Sequence, residues 1–168
     1  MIAYRDATIA DAAALVELGA ESFRQTFGHL YTPADLALFL DNHTAGSWSA
    51  ELADPAFAVR VAGDGGALIA YAKLGPAKLP FTPASGAIEL RQFYVLGPWQ
   101  GTGVAATLID WVIATARERG AGELYLSVFT ENHRARRFYE RHGFVPVGTY
   151  AFMVGTHADE DIVMRRAL

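Results

Sequence analysis

Residues 99–110 read WQGTGVAATLID and place Gly101 and Gly103 one residue apart, where a strand gives way to a helix. The segment 88–96, IELRQFYVL, has the aromatic and β-branched residues of a strand, and the apolar residues after Gly103 recur at helical spacing. The first N–H groups of a helix lack internal partners, and the helix dipole adds roughly half a positive charge there. The stretch therefore predicts either a simple tight turn or a site for phosphate or pyrophosphate.

Two common nucleotide-binding motifs do not fit these glycines. A Walker A loop requires GxxxxGK[ST], and no lysine follows at that spacing. A dinucleotide fingerprint requires GxGxxG directly after the first strand, whereas Ala106 stands at the third glycine position in a later part of the chain. The residues on either side of the turn are therefore needed to predict what it binds.

The composition excludes several classes of protein. The sequence has 168 residues, 52% of them hydrophobic, which predicts a single domain over residues 1–168 with one core. It contains no cysteine, so disulfides, cysteine-ligated zinc and a cysteine nucleophile are excluded. Five scattered histidines show no paired metal-ligand spacing, so no metal is expected.

Charge and hydropathy bear on partners and location. The net charge is −4 and no run of lysine and arginine occurs, so no nucleic-acid partner is expected. The sequence has no long apolar run and no basic–apolar pattern of a signal peptide at its start. We therefore expect a cytoplasmic protein with no membrane partner.

The order of predicted elements indicates a mixed α/β sheet covered by helices. Asp64-Gly65-Gly66 is a strong hairpin signal, and Gly120 and Gly143 mark the ends of helices. The three prolines of 76–86 predict an irregular loop. The sequence predicts strands at 2–8, within 57–75 on both sides of the hairpin, at 88–96, at 123–129 and twice in the tail, and helices near 8–26, 32–43, 47–54, 103–119 and 132–142.

Two motifs together resemble the GCN5-related N-acetyltransferase superfamily. In ELRQFYVLGPWQGTGVA, Gln100, Gly103 and Ala105 match the [QR]xxGx[GA] motif, and ENHRARRFYERHGF resembles the family's NxxAxxFYxxxGF. The resemblance covers nearly the whole chain. It implies a sheet of about seven mostly antiparallel strands, splayed between the fourth and fifth strands and flanked by helices.

The resemblance also implies acetyl-CoA as cosubstrate, with its pyrophosphate held by the glycine turn. The arm of the cofactor is expected to lie in the splay, where a β-bulge frees backbone groups. The Phe93 N–H should then face the acetyl carbonyl, and Val95 should pair with the pantetheine amides. The cofactor-binding residues so implied are Phe93, Tyr94, Val95, Gln100, Gly101, Thr102, Gly103, Val104, Ala105, Asn132, Ala135, Phe138 and Tyr139.

Two residues are predicted to be catalytic. Tyr139 stands where the family keeps the acid that protonates the departing thiolate, although it also suits a core aromatic position. Glu89 stands where some members place a general base, although it also suits a solvated strand residue. Tyr31, Asp35 and His29 are alternative proton acceptors.

Three further segments bear on the molecule that accepts the acetyl group. The segments ESFRQTFGHLYTPADLALFL, AELADP and GTYAFMVGTHADEDIVMRRAL resemble the polyamine-acetylating members, in which the first two helices wall the acceptor site. This implies Phe23, Thr26, Phe27 and Tyr31 as substrate-binding residues, since aromatic rings and nearby acids suit a cationic amine. The prediction is direct attack by a small primary amine, a polyamine above all, in a ternary complex. A peptide or amino-acid amine and a non-catalytic acetyl-CoA sensor are the alternatives, and a homodimer, common in the family, is left open.

Overall fold

Seven strands form one sheet in the order β1-β2-β3-β4-β5-β7-β6. The computed structural model describes residues 1–80 and 86–168, so part of the predicted 76–86 loop lies outside the described residues. The strands are β1 Ala3–Asp6, β2 Ala58–Asp64, β3 Ala67–Pro76, β4 Ala87–Val95, β5 Glu123–Phe129, β6 Val145–Val154 and β7 His157–Ala167.

The sheet is antiparallel except between β4 and β5, and there it opens. These two strands pair in parallel only over Ala87–Glu89 with Glu123–Tyr125. Beyond that point β4 continues along β3, and β5 continues along β7. The register between β3 and β4 shifts so that Arg91 has no partner in the ladder, which is the signature of a β-bulge. The mixed, splayed seven-stranded sheet predicted from the sequence is confirmed.

Five α-helices flank the sheet: α1 Ala12–Phe27, α2 Pro33–Asp41, α3 Ala45–Ala53, α4 Val104–Glu118 and α5 His133–Arg141. Thr32 and Thr44 cap α2 and α3 by accepting from Asp35 N and Ser47 N. Because Thr44 is that cap, α3 begins two residues before the predicted segment. None of the helices in the described ranges is long and apolar enough to cross a membrane.

The two faces of the sheet carry different helices. One face packs with α4 and Tyr139 of α5 around residues such as Leu108, Leu126 and Met164. The other packs with α1 and α3 around Leu15, Trp48 and Tyr71. The gap between β4 and β5 therefore connects two differently walled sides of the molecule.

One buried carboxylate stabilises the turn that precedes α1. Asp11 receives two hydrogen bonds from Arg5 at 2.7 and 2.8 Å and one from the Thr8 N–H at 2.8 Å. The Arg5 hydrogen bonds, opposed by burial, hold the pKa of Asp11 down at about 2. The carboxylate therefore stabilises the fold above its unfolded pKa of about 4, and this stability is lost as the pH falls toward 2.

We expect Asp11→Asn to lower the free energy of unfolding at pH 7 by about 1 kcal/mol. The loss is smaller than the pKa shift of Asp11 alone implies, because the Arg5 side chain is 52% exposed and solvent screens the ion pair. Urea titrations of both proteins measure this difference, which should shrink as the pH is lowered from 4 toward 2. A difference that stays constant over that range would contradict the role of the carboxylate charge.

Candidate active site

The opening between β4 and β5 forms a cleft of about 780 Å³. This volume suits a drug-sized ligand or a cofactor arm. The cleft runs from the glycine turn before α4 to the aromatic side chains of α1. Its lining includes Phe23, Thr26, Phe27, Tyr31, Phe39, Phe93, Tyr94, Val95, Gln100, Gly101, Gly103, Ala105, Ser127, Phe129, Asn132, Arg134, Ala135, Phe138, Tyr139, Phe152, Asp159 and Asp161.

The glycine turn exposes backbone at the start of α4. Gly101 and Gly103 have φ angles of 79° and 95°, the left-handed conformation that favours glycine. Gly103 is the N-cap of α4, and no atom stands within 4 Å of where its Cβ would lie, chain neighbours aside. The turn therefore presents the first N–H groups of α4 to open space at the positive end of the helix dipole, which suits an anion.

An arginine from α5 adds charge to this turn. Arg134 donates a hydrogen bond to the Gln100 side-chain oxygen, and the Gln100 amide donates to the Val95 carbonyl at 2.9 Å. A Cβ on Gly101 would lie 3.9 Å from the Arg134 guanidinium. The strand end, the turn and α5 thus meet at one place, with a full positive charge beside the free amides.

Aromatic side chains of β4 and α5 meet in the cleft. The Phe93 ring lies 5.8 Å from the Phe138 ring and 6.2 Å from the Tyr139 ring. Asn132 caps α5, its side-chain oxygen accepting from Ala135 N at 3.3 Å. Phe93 pairs with Ala72 of β3 on its other side. Beyond Glu89, the edge of β4 that does not pair with β3 faces the opening, while the Phe93 side chain packs against the core.

Tyr139 is held as a neutral phenol in this part of the cleft. Its ring is buried among Phe93, Phe138 and Phe144. Burial, with a smaller contribution from Tyr94, raises the pKa of Tyr139 well above its ordinary value. The hydroxyl therefore retains its proton at neutral pH and can donate it.

Aromatic side chains wall the other end of the cleft. Phe23 stacks on Phe39 with ring centroids 4.4 Å apart and lies 5.1 Å from Phe27. Phe27 meets Phe129 of β5 edge to face at 6.1 Å. Residues from α1, α2 and β5 therefore build one aromatic enclosure, on the α1 side of the sheet.

Two acids of β7 face this enclosure. Asp159 and Asp161 are buried and lie two residues apart, so both point to the same face of the strand. Tyr31 donates a hydrogen bond to Asp159, and His157 Nε2 lies 3.1 Å from the same carboxylate. Burial and the charge of Asp159, opposed by a hydrogen bond from Ser127, raise the pKa of Asp161 to about 7.

Comparison with known proteins identifies the family. The sequence pattern described as the Acetyltransferase (GNAT) family matches residues 14–144. The chain belongs to the GNAT family. It is 35% identical over 159 residues to an uncharacterised N-acetyltransferase of Mycobacterium tuberculosis, covering 94% of this chain and 98% of that protein. This acetyltransferase is also 25% identical over 161 residues to an uncharacterised N-acetyltransferase of Lactobacillus delbrueckii, covering 94% and 92%.

Solved structures show the same fold. The PaiA N-acetyltransferase from Thermoplasma acidophilum, in complex with coenzyme A, superposes with a TM-score of 0.82 at 19% identity, over 100% of this chain and 99% of that one. A ribosomal-protein-alanine N-acetyltransferase from Brucella melitensis gives a TM-score of 0.75 at 26% identity, over 99% of both chains. The present protein is thus an N-acetyltransferase of a family that uses acetyl-CoA.

The structure brings most of the predicted site residues of this acetyltransferase to one cleft. Phe23, Thr26, Phe27 and Tyr31 line its α1 end, and Tyr139 lies at its centre. Of the predicted cofactor-binding residues, Thr102 and Val104 do not line it. The Thr102 hydroxyl instead donates to the Trp99 carbonyl at 2.6 Å, and Val104 is buried in the core. Tyr94 turns its side chain to the α1 side, where its ring lies 5.5 Å from Tyr71.

Glu89 is not among the residues that line the cleft. Its Oε1 accepts hydrogen bonds from Lys78 N and Leu79 N at 3.0 and 3.1 Å, and its Oε2 lies 3.0 Å from Arg91 Nε. Burial raises the pKa of Glu89, against the opposing effect of these partners. The carboxylate thus fastens the chain after β3 to β4. The other predicted proton acceptors include Asp35, which receives hydrogen bonds from Thr156 N and Oγ1, both 2.7 Å long.

Several cleft residues were not predicted from the sequence, notably Arg134, Phe129, Asp159 and Asp161. The two acids carry a signal in the sequence, because their two-residue spacing in a strand places both on one face. Within residues 1–80 and 86–168, no group of three or more His, Asp or Glu side chains is placed to hold a metal ion.

The position of Arg134 leads to a testable prediction about affinity. Arg134→Ala should weaken the binding of coenzyme A about 10-fold, because a charge-assisted hydrogen bond to a phosphate is worth about 1.5–3 kcal/mol. Arg137→Ala is the matched control, since it removes the same charge from an exposed position on the same helix. Isothermal titration measures both. Equal losses in the two variants would show that only the general charge of α5 matters.

Proposed function

We propose that residues 1–168 form a single N-acetyltransferase domain that transfers the acetyl group of acetyl-CoA to a primary amine of a small cationic molecule, a polyamine above all. The observation that carries this proposal is the pair Asp159 and Asp161, buried within aromatic walls at the α1 end of the cleft. In the described part of the chain, neither acid forms an ion pair with lysine or arginine. Asp159 lies against the His157 ring instead, whereas negative charge buried at Asp161 is costly and favours a cationic ligand.

The two ends of the cleft suit the two substrates. The glycine turn, α4 and Arg134 are positive and suit the pyrophosphate of the cofactor. The acids and the rings of Phe23 and Phe27 suit an ammonium group through charge and cation–π attraction. The opening between β4 and β5 joins these ends, so an amine from one side can reach a thioester that lies in the gap.

The chemistry follows from direct attack in a ternary complex. The amine nitrogen forms a bond to the acetyl carbonyl carbon, and the developing oxyanion is stabilised by the Phe93 N–H, which has the role of an oxyanion hole. Collapse of the intermediate breaks the C–S bond, and the sulfur takes the proton of the Tyr139 hydroxyl. The attacking nitrogen, which is neutral before attack, then gives one of its two protons to the phenolate and restores the phenol of Tyr139.

A substrate series tests the acceptor class. Thiol release from acetyl-CoA is measured with spermidine and spermine, with a monoamine of similar length, with amino acids and with alanine-ended peptides. The proposal predicts that the polyamines give the highest kcat/KM, because the second charge is also attracted to the cleft. Preference for a peptide amine would favour the alternative suggested by the ribosomal-protein-alanine neighbour. Binding without turnover of any amine would favour a sensor.

The cytoplasmic location is a prediction of the sequence, and the family resemblance leaves a homodimer open. Size-exclusion chromatography with light scattering measures the oligomeric state.

A further inference from the structure

We infer that Asp161 is the general base of this acetyltransferase, accepting the proton that the acceptor ammonium must lose before it attacks. The inference rests on the proposed function, because it assumes an amine bound at the α1 end of the cleft. It assigns to β7 a role that the sequence motifs place on Glu89 of β4. The reaction needs such a group, since an amine with a pKa near 10.4 is neutral in only about one part in 2,500 at pH 7.

The position of Asp161 meets the geometric requirement. It lines the cleft, and only 6% of its surface is exposed. It pairs across the ladder with Phe129 of β5, whose ring belongs to the aromatic enclosure. Ser127, two residues before Phe129 on the same face of β5, offers a hydroxyl to the Asp161 carboxylate. An ammonium held between the aromatic walls and this acid would lie at the open edge of β5.

Asp161 and the proposed acid Tyr139 both line the cleft, and they lie on opposite faces of the sheet. Burial, with a smaller contribution from the negative charge of Asp161, raises the pKa of Tyr94 to about 12, so this phenol between them in the lining stays neutral at pH 7. The ionisable carboxyl is therefore on the amine side and the neutral phenol on the thioester side.

The remaining titratable neighbours leave Asp161 free for this role. Asp159 is already engaged by Tyr31 and His157. Tyr31 and Tyr150 feel the charge of Asp161, and burial raises the pKa of both phenols, so neither accepts a proton at neutral pH. His43 also lines the cleft, with its Nδ1 3.0 Å from the Phe39 carbonyl, and the Asp161→Asn variant distinguishes its Nε2 from Asp161 as the proton acceptor.

The proton balance is complete without a further reactant. The ammonium loses one proton to the Asp161 carboxylate, which later returns it to water. The neutral nitrogen then attacks, and the second nitrogen proton replaces the one that Tyr139 gives to sulfur. A carboxyl whose pKa is about 7 is half ionised at neutral pH and can both accept and release the proton under those conditions.

The test compares wild type, Asp161→Asn and Glu160→Gln across pH with two acceptors. Glu160 is exposed and adjacent in the same strand, so its variant removes a carboxylate outside the cleft. At saturating polyamine, Asp161→Asn should lower kcat about 100-fold at pH 7, because the loss of charge attraction alone would appear in KM. Glu160→Gln should keep the kcat of wild type, and both variants should keep its affinity for coenzyme A. Wild type should lose activity as the pH falls through about 7, because the protonated carboxyl cannot accept a proton.

A weakly basic acceptor separates proton removal from a structural effect. Trifluoroethylamine is already neutral at pH 7, so the deficit of Asp161→Asn should largely disappear with it. If Asp161→Asn does not fold, wild type is compared with His43→Gln, and the decrease in kcat below about pH 7 should be present in both with the polyamine and absent in both with the weakly basic amine. The inference would be overturned if Asp161→Asn lowered the activity equally with both acceptors, or if wild type lost activity below about pH 7 equally with both. Failure of wild type to acetylate any amine would instead overturn the proposed function.

Discussion

Replacing Tyr139 with phenylalanine is expected to lower kcat about 100-fold or more, the usual contribution of a general acid. Only the hydroxyl is removed, so the ring contacts with Phe93, Phe138 and Phe144 remain. The affinity for coenzyme A should therefore change little. The loss appears in kcat because the proton is needed when the C–S bond breaks and not when the substrates bind.

Tyr125→Phe is the matched control for this prediction. It removes a hydroxyl from β5 that bonds to Glu123 and does not line the cleft. Steady-state kinetics at saturating acetyl-CoA, with titration of coenzyme A into each variant, measures both effects. A Tyr139→Phe enzyme with the kcat of wild type would show that water, and not this phenol, protonates the thiolate.

Gly103→Ala is expected to weaken coenzyme A binding at least about 10-fold. Two effects act together: the φ of 95° is unfavourable for alanine, and the new Cβ enters the space that the pyrophosphate requires. Either the turn shifts and its N–H groups no longer converge, or the methyl group blocks the approach of the phosphate to the amides. Both outcomes weaken an interaction that depends on close contact with the backbone.

The hairpin supplies a control with the same backbone strain. Gly66 has a φ of 90° and also has no atom within 4 Å of its Cβ position, but it lies in the β2–β3 turn. Gly66→Ala should therefore lose stability to a similar extent and keep its affinity for coenzyme A. Thermal melts and isothermal titration of both variants separate the two effects. If Gly103→Ala binds coenzyme A as well as Gly66→Ala does, the turn is structural.

The fold and the cofactor end of the cleft were predictable because their signals are local in sequence. The glycine turn and the Asn132–Phe144 motif each combine capping, turn and core requirements within a few residues. Arg134 was not predicted, because its contact with Gln100 spans 34 residues and depends on how α5 is placed against the turn. A charged residue on an exposed helix carries no sign of such a contact.

The acceptor end was predicted in part, for a related reason. The resemblance to the polyamine-acetylating members implied Phe23 and Phe27 of α1, and both line the cleft. The two-residue spacing of Asp159 and Asp161 shows that they share a face of the strand, but not that this face meets α1. For Glu89, the partners include the backbone N–H groups of Lys78 and Leu79 just after β3, and no local sequence pattern reveals that contact.

The most direct test of this account is the crystal structure of the ternary complex with coenzyme A and the best acceptor from the amine series. We expect the pyrophosphate to bind the amides that follow Gly103, and the sulfur to lie in the gap between β4 and β5. We also expect the amine nitrogen on the α1 side, within hydrogen-bonding distance of Asp161. An amine bound on the same side as the cofactor, or a pyrophosphate away from the glycine turn, would contradict this account.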